Sequence, residues 1–137
     1  MKRILTTVLT FSLLFTLSLS LIACKKEVEI TDEAVIIRVD ISKVEEGATL
    51  KDYMDYLNRE GKLSYKASSG MVLSINGKSG NASTYWMLYT SDAQNSNAQW
   101  GSCVYEGENY YSASLGFEQL VVKEGELYIW TLQSMAL

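Results

Sequence analysis

Thr84-Tyr85-Trp86-Met87-Leu88-Tyr89-Thr90 is rich in aromatic side chains and reads as a β-strand. Strand alternation puts Tyr85, Met87 and Tyr89 on one face and Trp86 and Leu88 on the other. A sheet covered on one side by a single helix cannot easily bury both faces. One aromatic face is therefore expected to lie open, where it would suit a large flat ligand. The alternative is a two-sided core beneath loops.

Upstream, Leu63, Tyr65 and Ala67 alternate, Ser68-Ser69-Gly70 makes a turn, and Met71, Leu73 and Ile75 alternate again. Asn76-Gly77 is a strong turn signal because both residues tolerate positive φ, and Gly80 and Asn81 prolong that loop. Further back, Thr49 with Asp52 is a variant capping box. Leu50, Tyr53, Met54 and Leu57 then follow helical spacing, and Gly61 is placed to close the helix. Val35, Ile37, Val39 and Ile41 alternate with Ile36, Arg38 and Asp40, which predicts a strand with one buried face.

Downstream, Ser91 to Gln99 is small and polar and reads as a loop. Cys103–Tyr105 and Tyr110–Ser114 suit a short hairpin around 106–109. Leu120–Lys123 and Leu127–Leu132 suit a terminal hairpin turning at Glu124-Gly125. One helix with six or seven strands predicts an α+β fold, a mostly antiparallel sheet carrying one main helix. A first strand, then the helix, then the rest of the sheet suggests a β-grasp-like arrangement.

Lys2 and Arg3 precede an uncharged apolar run from Ile4 to Ala23, the pattern of a secretory signal helix. It ends Leu21-Ile22-Ala23-Cys24, which resembles a bacterial lipobox. That resemblance implies cleavage after Ala23, a lipid on Cys24 and an extracytoplasmic location on a bacterial membrane. The alternative is an uncleaved membrane helix. The expected organisation is a signal peptide at 1–23, a lipidated tether at 24–32 and one domain at 33–137. Loss of Lys2 and Arg3 with the leader takes the net charge from −4 to −6.

Composition excludes several chemistries. The chain of 137 residues has no His, which removes Ser-His and Cys-His pairs and imidazole ligands. Its acidic balance offers no basic stripe for nucleic acid. No phosphate loop, metal cluster or nucleophile elbow is present, so neither an enzyme nor a required cofactor is expected. The carboxylates Glu45-Glu46 and Asp52/Asp55 read as a solvated face, as do Glu106 and Glu108 in a hairpin tip. Ser91–Asn97 is oxygen-rich but lacks the spaced acids and Gly of a calcium loop. With Cys24 modified, Cys103 has no disulfide partner and is expected as a small buried apolar residue. Trp100 sits among Asn, Gln and Gly, and a buried edge and an exposed contact both fit it.

Ser74-Ile75-Asn76-Gly77-Lys78 followed by Tyr85-Trp86-Met87-Leu88 resembles the transcobalamin-like C-terminal domain family. Thr49-Leu50 opening a helix, Gly70 before a strand, and Glu124-Gly125-Glu126 ahead of Ile129-Trp130 fall in the same order. The resemblance implies the small β-domain that covers one face of cobalamin in transcobalamin and intrinsic factor. By position it carries corrinoid contacts onto Gly77, Lys78, Tyr85, Trp86, Met87 and Leu88. It implies a cobalamin-type ligand captured for uptake, with a transporter or second binding domain as partner. The resemblance covers the β-domain alone, with no counterpart of the carriers' large helical domain expected in these residues, and residues 91–115 are expected to be an insert that could cover the aromatic face or wall a pocket. The second reading is a surface protein-interaction or adhesion module with no small ligand.

Overall fold

The computed structural model describes residues 26–134. The expected signal helix, the lipobox-like stretch and Cys24 lie outside the described residues. Among the described residues the fold is α+β, one α-helix with a mostly antiparallel sheet, and every strand pairing is antiparallel.

In chain order the strands are β1 (Val28–Ile30), β2 (Ala34–Arg38), β3 (Tyr65–Ser68), β4 (Met71–Ile75), β5 (Lys78–Ser79), β6 (Thr84–Thr90), β7 (Ser96–Tyr105), β8 (Glu108–Ala113) and β9 (Leu127–Ser134). Helix α1 spans Leu50–Arg59. Six strands form one sheet in the order β1-β2-β9-β6-β8-β7, and β3-β4-β5 form a second.

Helix α1 begins where its chemistry dictates. The Thr49 hydroxyl accepts the Asp52 N–H, and the Asp52 carboxylate accepts the Thr49 N–H, so two of the four orphan donors are satisfied. Leu50, Tyr53, Met54 and Leu57 are fully buried, which is the face the spacing predicts. They pack with Val35, Ile37, Leu88, Phe117, Leu120, Tyr128 and Trp130 to make the main core between helix, small sheet and large sheet.

The other face of the large sheet is also covered. Ile36, Tyr89, Leu127 and Ile129 form a second cluster beneath Met87, Cys103, Tyr105 and Tyr110. The β7–β8 hairpin folds across this face, and the Tyr105 hydroxyl reaches Glu29 on β1 at the far edge. Residues 91–115 therefore cover the aromatic face, and Tyr89 is buried. This corrects the expectation of an open aromatic face.

Five local readings change. The expected tether at 24–32 is not free over its described part, because Val28–Ile30 pairs with β2. Strand β2 buries both faces, with Val35, Ile36 and Ile37 all inaccessible, because core lies on each side. In β4 it is Val72 and Ser74 that point inward, leaving Met71 and Leu73 exposed. The polar stretch 91–99 contains a 3₁₀ turn (Ala93–Asn95) and the first part of β7. Leu120–Lys123 does not pair with β9. Its backbone bonds go to the helix entry instead, Leu50 N–H to Leu120 O at 2.8 Å and Val122 N–H to Ala48 O at 3.0 Å. Strand β9 lies between β2 and β6.

Candidate functional site

The 76–88 segment is organised by two tight turns. Asn76 and Gly77 have φ of 50° and 79°, the mirror-image geometry that suits a two-residue hairpin. The Asn76 side chain accepts the Ser64 N–H at 2.8 Å, tying the turn to the start of the small sheet. The chain then enters β5, and the Lys78 ammonium donates to the Asp32 carbonyl at 2.6 Å. Asn81 closes the next loop by accepting the N–H groups of Ser83 and Thr84 on its side chain.

Trp86 stands where these pieces meet. Its indole N–H donates to the Lys78 carbonyl at 2.9 Å, and its ring is half-buried against the main core. The alternation read from sequence holds: Trp86 and Leu88 face the main core, while Met87 and Tyr89 face the second cluster. Opposite Trp86 and Leu88 on β9 stand Leu132 and Trp130.

Two shallow grooves share the Trp86 wall. One, of about 210 Å³, runs between β4 and the 113–117 segment and is lined by Met71, Val72, Leu115, Phe117 and Trp130. The other, of about 180 Å³, is lined by Ile30, Asp32, Ile75, Asn76 and Lys78. Met71 and Leu115 are exposed on the rim of the first. Trp130 is 4% exposed, and its indole N–H has no hydrogen-bond partner among the described residues. An orphaned buried donor is costly, so a ligand oxygen that reached it would be favoured.

Of the six residues carried over by resemblance, Lys78 and Trp86 meet directly. Tyr85, Met87 and Leu88 border the first groove. Leu88 is buried and contributes floor, while the Met87 side chain belongs to the opposite face. Gly77 lies exposed at the tip of its turn, flanked by the Asn76 and Lys78 that line the second groove. Met71, Leu115, Phe117 and Trp130 were not foreseen as wall residues. Phe117 and Trp130 pack edge-on with ring centroids 5.9 Å apart. The only local signal for the loop part was the apolar pair flanking Gly116.

Other expected candidates fall elsewhere. A larger hollow, about 580 Å³, lies beside the polar face of α1 among Lys43, Glu45, Glu46, Asp52, Asp55 and Arg59. Its wall is charged and solvated, and Asp55 is already engaged by Lys51 and by the Tyr65 hydroxyl. Burial raises the Asp55 pKa, but those two partners win and hold it below the ordinary range. Asp92, at the head of the oxygen-rich stretch, is buried and spent on Lys123, Asn95 and the Gln94 N–H. No group of three or more acidic, Cys or His residues among the described residues is arranged to hold a metal ion. Cys103 is half-buried and unpaired rather than fully enclosed, and burial pushes its thiol up to about 11. Trp100 is exposed.

Comparison with protein-family models, curated proteins and solved structures found no match to this chain.

Proposed function

We propose that this chain is a lipid-anchored, extracytoplasmic binding module of a bacterial membrane, a β-grasp-like domain of the transcobalamin type that captures a corrinoid at the Trp86 seam. The observation that carries the binding part is Trp86 itself. A half-buried indole, fixed by Lys78, forms the shared wall of two apolar-edged grooves. A corrin presents a flat apolar face with amide arms. Ring area at Trp86, with exposed Met71 and Leu115, suits the face. The Lys78 ammonium uses one of its three donors on Asp32 and has two left for amide oxygens.

Each groove is smaller than the roughly 300–1,000 Å³ of an enclosing ligand pocket. The ligand would therefore lie across the mouth, and a transporter or second binding domain would cover its other side. The reading includes no catalytic step and no resident cofactor.

The test is a titration of the detergent-solubilised protein with cobalamin and with cobinamide, following Trp fluorescence and corrin absorbance. Saturation in the micromolar range, abolished by Trp86→Ala, is the expected result. No binding at several hundred micromolar would end the corrinoid reading. A second reading is favoured by Met71 and Leu73, 54% and 49% exposed on the outer face of β4. Such a patch suits a protein partner without a small ligand. In that case Leu73→Asp would abolish the interaction, while Trp86→Ala would leave it intact.

A further inference from the structure

The start of the domain is fastened down at one end of the large sheet. The Glu27 carbonyl accepts the Arg38 N–H at 2.8 Å. Its carboxylate accepts from the Tyr53 hydroxyl and from the Lys62 ammonium, the latter at 2.7 Å. Two residues on, Glu29 is held by Tyr105. Only Lys25 and Lys26 separate Glu27 from Cys24. Three Cα steps of 3.8 Å limit the reach from Cys24 to about 11 Å.

Strand register says what lies at each end. Val28 pairs with Ile37, Arg38 with Leu127, and Thr90 with Tyr128, so these residues share the Glu27 end. A groove at that end brings Lys26 together with Glu29, Arg38, Glu106, Glu108 and Tyr110. Thr84 pairs with Ser134 at the opposite end, and Trp86, which pairs with Leu132, lies two residues from it beside Lys78. Ile30 pairs with Val35 and stands level with Trp130 and Leu88, between the two ends. Four residue steps along β6 separate Thr90 from Trp86, about 13 Å at roughly 3.3 Å per residue, and six separate it from Thr84, about 20 Å.

We infer that the lipid on Cys24 holds the domain on a two-residue leash, with the Glu27 end and the Glu106–Glu108 hairpin tip against the bilayer and the Trp86 grooves facing away from it. The inference rests on the lipoprotein reading. It commits the lower end to lipid headgroups and leaves the grooves open to a ligand or protein arriving from outside. A segment read as a spacer thereby becomes an orienting device, because a leash shorter than the domain restricts how far the domain can tip.

The experiment uses the full-length protein, matured in a bacterial host and reconstituted into phosphatidylethanolamine–phosphatidylglycerol vesicles. In a Cys103→Ser background, single labelling sites are placed by Glu108→Cys and Ala82→Cys, both at exposed positions. A fluorophore at each site is quenched by headgroup spin-labelled lipid. Quenching at least twofold greater at 108 than at 82 is expected. A ten-residue Gly-Ser insertion between Lys26 and Glu27 should erase the difference. Equal or reversed quenching in the uninserted protein overturns the orientation, and a difference that survives the insertion overturns the leash as its cause. Mass analysis of the same sample reads acylation of Cys24. Its absence brings down the lipoprotein reading separately, and the leash with it.

Discussion

Tyr53 shows how much one hydroxyl can organise. The residue is fully buried on α1, with its ring edge-on to Tyr56 at 5.4 Å between centroids. Its oxygen accepts the Asp40 N–H at 3.0 Å and donates to Glu27. Helix, first strand and the exit of β2 are thus joined at one atom. Tyr53→Phe keeps the ring packing but leaves the part-buried Asp40 amide without its partner and removes one of two partners from the Glu27 carboxylate. The expected cost is about 1–3 kcal/mol in urea unfolding. Faster amide exchange at residues 28–30 than elsewhere in the sheet would show that the loss is felt at β1. Uniform exchange would place the loss elsewhere. The helical face holding Tyr53 was legible, because the spacing of Leu50, Tyr53, Met54 and Leu57 marks it. Its partner at Glu27 was not legible, since a charged octet without a period looks like a tether until β2 offers it an edge.

At the scale of elements, what could be read depends on where each backbone finds its bonds. Helix α1 carries its own start signal in Thr49 and Asp52, and β6 carries its faces in alternation, so both were legible locally. The second part of β7 was also legible, since Cys103–Tyr105 pairs with β8 as the hairpin reading expects, but its first part (Ser96–Gln99) was not, because that stretch reads as a small polar loop and stays half-exposed. Leu120 and Val122 mislead in the other direction. They are apolar because they plug the core beneath the helix entry, and an isolated bridge from Val121 to Thr49 replaces the hairpin. The candidate site shows the same division. Its β6 wall was visible as an aromatic run, while Met71, Phe117 and Trp130 converge from elements far apart in sequence. The loop between β5 and β6 gives a sharp test. A Cβ on Gly80 would stand 2.5 Å from the Thr84 carbonyl oxygen, a backbone atom that cannot swing aside. Gly77, by contrast, has open space but a φ of 79°. Gly80→Ala is expected to cost about 1–3 kcal/mol by overpacking. It should also change the near-UV circular dichroism of Trp86, two residues beyond the clash. Gly77→Ala should cost about 1 kcal/mol through its backbone alone and leave that spectrum unchanged. Equal spectral effects would contradict the assignment of Gly80 as the residue that sets the β6 entry.

For the whole molecule, the distribution of titrating groups predicts an unusually flat pH response. The chain has no His, so no side chain of that type changes charge between pH 5 and 8. On the acid side, burial would raise Asp92, but Asn95, Lys123 and the Gln94 N–H outweigh it and hold its pKa low. Asp55 is lowered in the same manner by Lys51 and Tyr65. A carboxyl depressed in the folded state contributes its stability above its unfolded pKa of about 3.9 and loses it as pH falls through the lower folded value. On the alkaline side, burial raises Tyr53, Tyr65 and Tyr105, and the carboxylates of Glu27, Asp55 and Glu29 raise them further. Burial also lifts Tyr128, to about 12. A phenol raised in the folded state contributes fully below its unfolded pKa of about 10 and loses that contribution as pH rises through the folded value. Urea midpoints should therefore be level from about pH 5 to 9, decline below about pH 4, and decline again above about pH 10. Tyr53→Phe should make the alkaline limb shallower while leaving the acid limb in place, because its phenol belongs only to the alkaline balance, which Tyr65, Tyr105 and Tyr128 still carry. Asp92→Asn should do the reverse. If the alkaline decline were unchanged in Tyr53→Phe, the burial of the Tyr53 phenol beside Glu27 would not be a source of that decline.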